Sequence, residues 1–200
     1  TLIELAALGM PKNKALWAQY YHLRGMALYS LRQRYEDAAK DLQQAVRLKA
    51  TTAPDDLFTA ARALSRADKN RAAMAVYRKF VRLYPGHPST QEAEYLTGWL
   101  ALREGDASGA TALEKLVTKY AKKGGDFAGE ALFRVGFEAL ERKKPKKAAP
   151  LFEKFAALSG DTMVRARGLY WLGVAKIALH DKAGAVTAFR AAMAVEPLHW

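Results

Sequence analysis

The stretch that decides the fold is Leu172–Pro197, LGVAKIALHDKAGAVTAFRAAMAVEP, close to the end of the 200-residue sequence. Apolar residues recur along it at the spacing of an amphipathic helix, pause at a short polar break, and resume up to the final proline. A small residue stands in each half, at Gly173 and Ala185, and the aromatic Phe189 follows one helical turn later. This pattern predicts two antiparallel helices that approach closely at the small residues.

The same pattern recurs four times upstream. Its first small residue repeats at steps of 36 to 38 residues and its second at steps of 35 to 38, as expected for stacked helical hairpins. A large residue follows the second small residue in four copies, whereas Glu114 occupies that place in the third copy. The first series is Gly25, Ala61, Gly98, Gly136 and Gly173; the second is Ala38, Ala73, Ala110, Ala148 and Ala185; the large residues are Leu42, Tyr77, Phe152 and Phe189.

The order of these residues resembles the tetratricopeptide repeat, or TPR, over nearly the whole chain. The small positions would let helices A and B of one hairpin close up, and the large residue would fill the space between successive hairpins. Strand patterns of alternating Val, Ile and Thr are absent, and Ala-rich segments favour helix. The sequence therefore predicts an all-α, TPR-like α-solenoid of about five helical hairpins, a superhelix.

The repeats also predict the domain organisation. We expect residues 1–200 to be a single α-solenoid domain, a fragment of a longer chain. Residues 1–12 are interpreted as the end of a preceding helix, because Gly9 and Pro11 would halt it, and residues 13–200 as five helix-turn-helix repeats.

The amino-acid composition favours one class of partner and excludes several kinds of site. With 32 Lys and Arg against 20 Asp and Glu, the net charge of +12 favours an anionic partner. The chain contains no Cys, which excludes disulfides, thiolate metal sites and cysteine nucleophiles. No apolar run approaches the roughly 20 residues that a membrane-spanning helix needs. Charge alone does not indicate nucleic acid, since neither a DNA-binding helix-turn-helix motif nor an RNA-stacking sheet is predicted.

Three segments carry a more specific resemblance. Tyr21–Ala39, Tyr84–Asp106 and Arg165–Trp200 resemble the superhelical N-terminal region of soluble lytic murein transglycosylases. The resemblance implies a periplasmic parent protein that cleaves peptidoglycan glycan strands through a Glu in its C-terminal domain. The present segment would then be a non-catalytic scaffold that contacts glycan strands and docks that catalytic domain. The Glu-Ser signature of the family is absent here, so no catalytic residue is carried over.

An alternative function remains open. The run YPGHP at Tyr84–Pro88, followed by a predicted helix, also occurs in periplasmic TPR proteins of envelope assembly. That resemblance implies an adaptor for protein–protein interaction, which would bind another envelope protein.

Catalytic chemistry is not indicated by the sequence. Neither Glu92 nor Glu94 faces a second carboxylate by helical spacing. The histidines fall in separate repeats without metal-ligand spacing, so we predict no catalytic, metal or cofactor site. They are His22, His87, His180 and His199.

Two sets of residues are candidates for binding. The ring series stands three residues before each first small residue, and two further rings stand one residue after it. We predict either stacking platforms for sugar or peptide in the groove, or packing between successive A helices. These residues are His22, Phe58, Tyr95, Phe133 and Tyr170, with Trp99 and Phe137.

The second set, the basic turns, lies between helices A and B. Repetition aligns these cations along one edge, which would attract an anionic partner such as peptidoglycan; the alternative is a solvated rim. They are Arg32, Arg34, Lys69, Arg71, Arg142, Lys143, Lys144, Lys146 and Lys147.

Overall fold

The computed structural model describes residues 13–120, 126–158 and 160–197, and within these ranges the chain is all-helical. The interpretation of residues 1–12 as the end of a helix falls outside them. Ten α-helices follow one another in the described ranges, and we number them in chain order. They are α1 (Lys14–Ser30), α2 (Tyr35–Arg47), α3 (Ala53–Arg66), α4 (Asn70–Leu83), α5 (Thr90–Arg103), α6 (Ser108–Tyr120), α7 (Asp126–Glu141), α8 (Pro145–Leu158), α9 (Thr162–Ala178) and α10 (Lys182–Val195). The odd-numbered helices are the predicted A helices and the even-numbered ones the B helices.

The chain divides into two compact units, residues 1–106 and 107–200. Unit 1 contains α1 to α5 and unit 2 contains α6 to α10. Within each unit, every helix packs against the helix that follows it in the chain. The all-α fold of helical hairpins is confirmed, whereas a single domain over residues 1–200 stays a prediction.

The first small residue of a hairpin marks the closest approach of its two helices. A Cβ added at Gly25 would lie 2.7 Å from Cγ of Leu42, and one added at Gly173 would lie 2.6 Å from Cε1 of Phe189. The large residue therefore packs over the small residue of its own hairpin. Close helix packing at a glycine leaves a hollow for it. The large residue of the fourth hairpin also reaches the next hairpin, as predicted, because the ring of Phe152 stacks on that of Trp171 in α9 with centroids 6.1 Å apart.

The third copy lacks the large residue, and the structure shows what replaces it. Glu114 of α6 forms an ion pair with Lys147 of α8, with 2.6 Å between Oε1 and Nζ. A half-buried glutamate in a polar contact between successive B helices of unit 2 thus stands where Leu42, Tyr77 and Phe152 are buried in other copies.

A further regularity lies in the turns between helices A and B. Each turn contains one residue with a positive φ of 56° to 76°, at steps of 36, 37, 38 and 37 residues. In the turn after α7 the amide of Lys144 donates to the carbonyl of Ala139 at 2.8 Å, which closes the helix end as a Schellman motif does. The five residues are Arg32, Asp68, Gly105, Lys143 and His180.

Substituting Gly25 by Ala tests the close approach. We expect the free energy of unfolding to fall by about 1–3 kcal/mol, because the added methyl group would overlap the fully buried Leu42. Urea denaturation measures the change. Gly86→Ala is the control, since nothing lies within 4 Å of its added Cβ, and it should leave stability within about 1 kcal/mol of wild type. Equal stability of both variants would contradict the packing.

Substituting His180 by Gly tests the positive-φ position. Its φ of 62° strains a residue with a Cβ, so glycine should raise the free energy of unfolding by about 1 kcal/mol. The exposed imidazole is lost in His180→Ala as well, but the Cβ remains. Thermal unfolding should therefore separate the two variants, with the glycine variant melting higher.

Candidate binding surface on the A helices

The ring series divides into buried and half-buried members. Phe58, Tyr95 and Phe133 are 7 %, 7 % and 8 % exposed, so these rings serve packing. His22 and Tyr170 are half-buried, as are the two rings that follow the small residues, Trp99 and Phe137. Ligand binding by the half-buried members stays a prediction.

In unit 2 the rings form one aromatic cluster. Phe133 contacts the rings of Phe155 and Phe152, with centroids 5.3 and 5.8 Å apart. Phe137 of α7 meets Trp171 of α9 edge to face at 4.9 Å, so successive A helices contact each other through their rings. Trp171 lies outside the ring series, and its position two residues before Gly173 gave no periodic signal.

In unit 1 the corresponding ring is held by helix B. Phe58 packs against Tyr77 and Phe80 of α4, with centroids 5.7 and 5.4 Å apart. Burial raises the pKa of the Tyr77 phenol well above its usual range, while the nearby guanidiniums of Arg62 and Arg66 oppose that rise. These two arginines of α3 thus lie within electrostatic range of the buried phenol.

His22 connects the first hairpin to the second through a carboxylate. Its Nδ1 lies 2.7 Å from Oδ1 of Asp56, which is fully buried, and the hydroxyl of Thr52 donates to the other carboxylate oxygen at 2.8 Å. A buried carboxylate needs such partners. The position therefore serves a polar link between α1 and α3.

A second buried carboxylate holds Arg24 of α1. Its Nε and Nη2 donate to the two oxygens of Asp41 at 2.5 and 2.6 Å, and Nη1 donates to the hydroxyl of Tyr20 at 2.8 Å. The hydrogen bond with Asp41 raises the pKa of Arg24 further above its usual range. Sequence reasoning missed this pair because its members are 17 residues apart and lie on different helices.

Besides Arg24, which lies over the rings of Tyr20 and Tyr21, three arginines lie over aromatic rings on the A helices of unit 1. Arg66 of α3 stands 4.7 Å from the ring centroid of Tyr29 on α1, and so joins two successive A helices. Arg62 stands 5.7 Å from the ring of Phe58, and Arg103 stands 5.3 Å from that of Trp99. Rings hold a guanidinium by cation–π attraction without neutralising it. We call these side chains the arginine–aromatic surface: Arg62, Arg66, Arg103, Tyr29, Phe58 and Trp99.

The basic turns are exposed, as predicted, and several of their cations are paired. Hydrogen bonding to Arg34 lowers the pKa of Asp37, and Lys147 pairs with Glu114. Ion pairs also join Lys69 to Glu36, Arg71 to Glu104, and Arg142 to Glu138. Among the described residues, four of these cations have no carboxylate within 4 Å, so attraction of an anionic partner stays a prediction for them. They are Arg32, Lys143, Lys144 and Lys146.

The described ranges hold neither a metal-binding cluster nor a membrane-spanning helix. No cluster of three or more His, Asp or Glu side chains there could hold a metal ion. None of the helices in those ranges is long and apolar enough to cross a membrane.

Removing a ring of the buried cluster tests its packing role. Phe133→Ala should lower the free energy of unfolding by about 3–5 kcal/mol, the cost of emptying a core phenylalanine site. The control in the same unit is Leu158→Ala, because Leu158 is 57 % exposed and should change stability by less than about 0.5 kcal/mol. A Phe133→Ala protein as stable as wild type would show that this ring does not support the fold.

Comparison with known proteins gives a consistent family of folds. Residues 57–87 match a family model described as Tetratricopeptide repeat. No curated protein matches the sequence. The structure is similar to a crystal structure of MamA protein, with 16 % identity, 90 % of this chain and 92 % of that chain covered, and a TM-score of 0.70.

Two further solved structures extend the comparison. One is MamA 41-end from Desulfovibrio magneticus RS-1, at 20 % identity over 96 % of this chain and 99 % of that one, with a TM-score of 0.68. The other is YrrB, described as a TPR protein with an unusual peptide-binding site, at 18 % identity over 91 % and 88 %, with a TM-score of 0.62. At such identities the likeness concerns the fold alone. The chain therefore has the TPR-like repeat fold, which its own residue pattern predicts.

Proposed function

We propose that this chain is a TPR-type scaffold that binds a protein partner along the A-helix side chains of its units. The observation that carries the proposal is the contact between successive A helices. Arg66 of α3 lies over Tyr29 of α1, and Phe137 of α7 meets Trp171 of α9. In each unit, side chains from two successive repeats therefore lie next to each other. A partner that spans repeats needs a surface of this kind.

The chemistry of this surface suits a polypeptide. Half-buried rings such as Trp99 offer apolar area, and the guanidinium of Arg103 beside it offers hydrogen-bond donors. Aromatic and arginine side chains are the residues that most often anchor protein–protein interfaces. The similarity to YrrB, whose description names a peptide-binding site, agrees with a partner of this class.

The sequence resemblance supports a second, finer proposal. In it, the chain is the superhelical scaffold of a periplasmic lytic transglycosylase, which contacts peptidoglycan and docks a catalytic domain. Its support is the three segments that resemble that family, together with the unpaired cations Lys143, Lys144 and Lys146. Carboxylates on peptidoglycan stem peptides would be attracted to this exposed turn.

Site-specific photo-crosslinking distinguishes these functions. A photoreactive phenylalanine analogue replaces Trp99 on α5 in one protein and Arg78, an exposed residue of α4, in the other. Both proteins are irradiated in an extract of the native host, and adducts are identified by mass spectrometry. We expect one protein adduct from position 99 and none from position 78, because the partner lies against the A helices.

Other outcomes would contradict the first proposal. Adducts formed equally from both positions, or from position 78 alone, would place the partner elsewhere. Co-sedimentation with purified sacculi, lost on charge reversal of Lys143, Lys144 and Lys146 and without any protein adduct, would favour the peptidoglycan scaffold instead.

A further inference from the structure

Arg62 and Arg66 of α3 differ from the other arginines that lie over rings. Both side chains are exposed, and neither forms a hydrogen bond or an ion pair with any described residue. By contrast, Arg24 is bound by Asp41, and Arg167, which lies over Phe133, is bound by Glu130. The donors of Arg62 and Arg66 are therefore available to a ligand.

The rings preorganise the side chains of these two arginines for binding. A guanidinium that lies against a ring keeps its planar edge of N–H donors directed away from the ring. Tyr29 and Tyr35 flank the guanidinium of Arg66 at 4.7 and 5.7 Å, so part of its conformational freedom is already lost. A ligand that uses these donors then loses less entropy on binding.

The spacing of the two cations defines the ligand. Arg62 and Arg66 stand one helical turn apart, which is about 6 Å along the axis. In an extended peptide, side chains at alternate positions face the same way and are about 6.6 Å apart. Carboxylates in a Glu-x-Glu arrangement would therefore meet the two guanidiniums together, each able to accept two hydrogen bonds.

We propose that Arg62 and Arg66 bind an acidic, extended segment of the partner protein through two of its carboxylates. This inference rests on the proposed function and names the chemistry of the partner.

Two carboxylates on the A helices of unit 1 favour a peptide over a nucleic acid. Asp55 precedes Arg62 by two helical turns, on the same side of α3; its carboxylate lies 3.4 Å from Nε2 of His87 and is 76 % exposed. Glu92 holds the equivalent position in α5, six residues before its small residue. A phosphate backbone carries a charge at every nucleotide and would be repelled there. A peptide can place its acids opposite the arginines alone.

A direct binding assay tests this inference. The probe is a short fluorescein-labelled peptide in which Glu alternates with Ser, titrated with the full chain and followed by fluorescence anisotropy. The test variant is R62Q/R66Q. The matched control is R78Q/R82Q, which removes two exposed arginines with the same spacing from α4, where no ring lies against them. Circular dichroism checks that both variants fold.

We expect R62Q/R66Q to weaken peptide binding at least about tenfold, as a loss of about 1.4 kcal/mol does. R78Q/R82Q should change binding less than about twofold, since exposed charges at a distance contribute little. Equal losses in both variants would reveal general attraction to the net charge and overturn the inference. So would tighter binding of a single-stranded oligonucleotide that depends on the same two arginines.

The crosslinking experiment separates this inference from the proposed function. If position 99 still yields the protein adduct in an R62Q/R66Q background, and the peptide assay shows no dependence on the two arginines, then the scaffold function stands and the acidic-segment inference fails. Absence of any adduct from position 99 in the unsubstituted background would contradict the proposed function itself.

Discussion

The close approach of two helices at a glycine is the constraint on which the first, fourth and fifth hairpins depend. At Gly173, as at Gly25, no space for a Cβ remains beside the large residue of helix B. Helices normally pack at 8–10 Å, and a glycine permits the near end of that range. The large side chain then lies over the helix-A backbone and fixes how the two helices face each other. The residues available for binding follow from that orientation.

This orientation explains why a ring and an arginine on the same helix A differ in exposure. Phe58 points toward Phe80 of helix B and is buried, whereas Arg62, one turn later, remains exposed beside the same ring. Two residues one helical turn apart thus have different roles: the first packs in the core, and the second is exposed to a partner. The buried ring is nevertheless part of the proposed binding surface, because it supports the guanidinium that lies over it.

The sequence predicted the hairpins well because residue size reports directly on close packing. Gly25 and its equivalents recur at a nearly constant step, and the structure places Gly25, Gly136 and Gly173 against the predicted large residues Leu42, Phe152 and Phe189. The turns were not predicted in the same detail. Only Gly105 among the five positive-φ residues of the turns between helices A and B is a glycine, so the backbone conformation left no repeated residue type to recognise.

The candidate site was less accessible to sequence reasoning, for two physical reasons. The repeat step of 36 to 38 residues shows that a ring recurs at one position of helix A, but it does not show whether helix B covers that position, as it covers Phe58. Cross-hairpin partners such as His22 and Asp56 are 34 residues apart, and no local pattern joins them. Arg66 over Tyr29 is a pairing of the same kind.

The net charge of +12 can therefore be divided into cations that are paired with carboxylates and cations that remain available to a partner. Cations of the basic turns such as Lys147 are partly neutralised by neighbouring carboxylates, which screens them and reduces their value for recognition. Arg62 and Arg66 are held in place by rings, so they are ordered and still charged. A cation that is ordered by a ring but not paired with a carboxylate suits recognition, whereas a paired or mobile cation mainly keeps the protein soluble. The total charge of a repeat protein is therefore less informative than the side chains that support each cation.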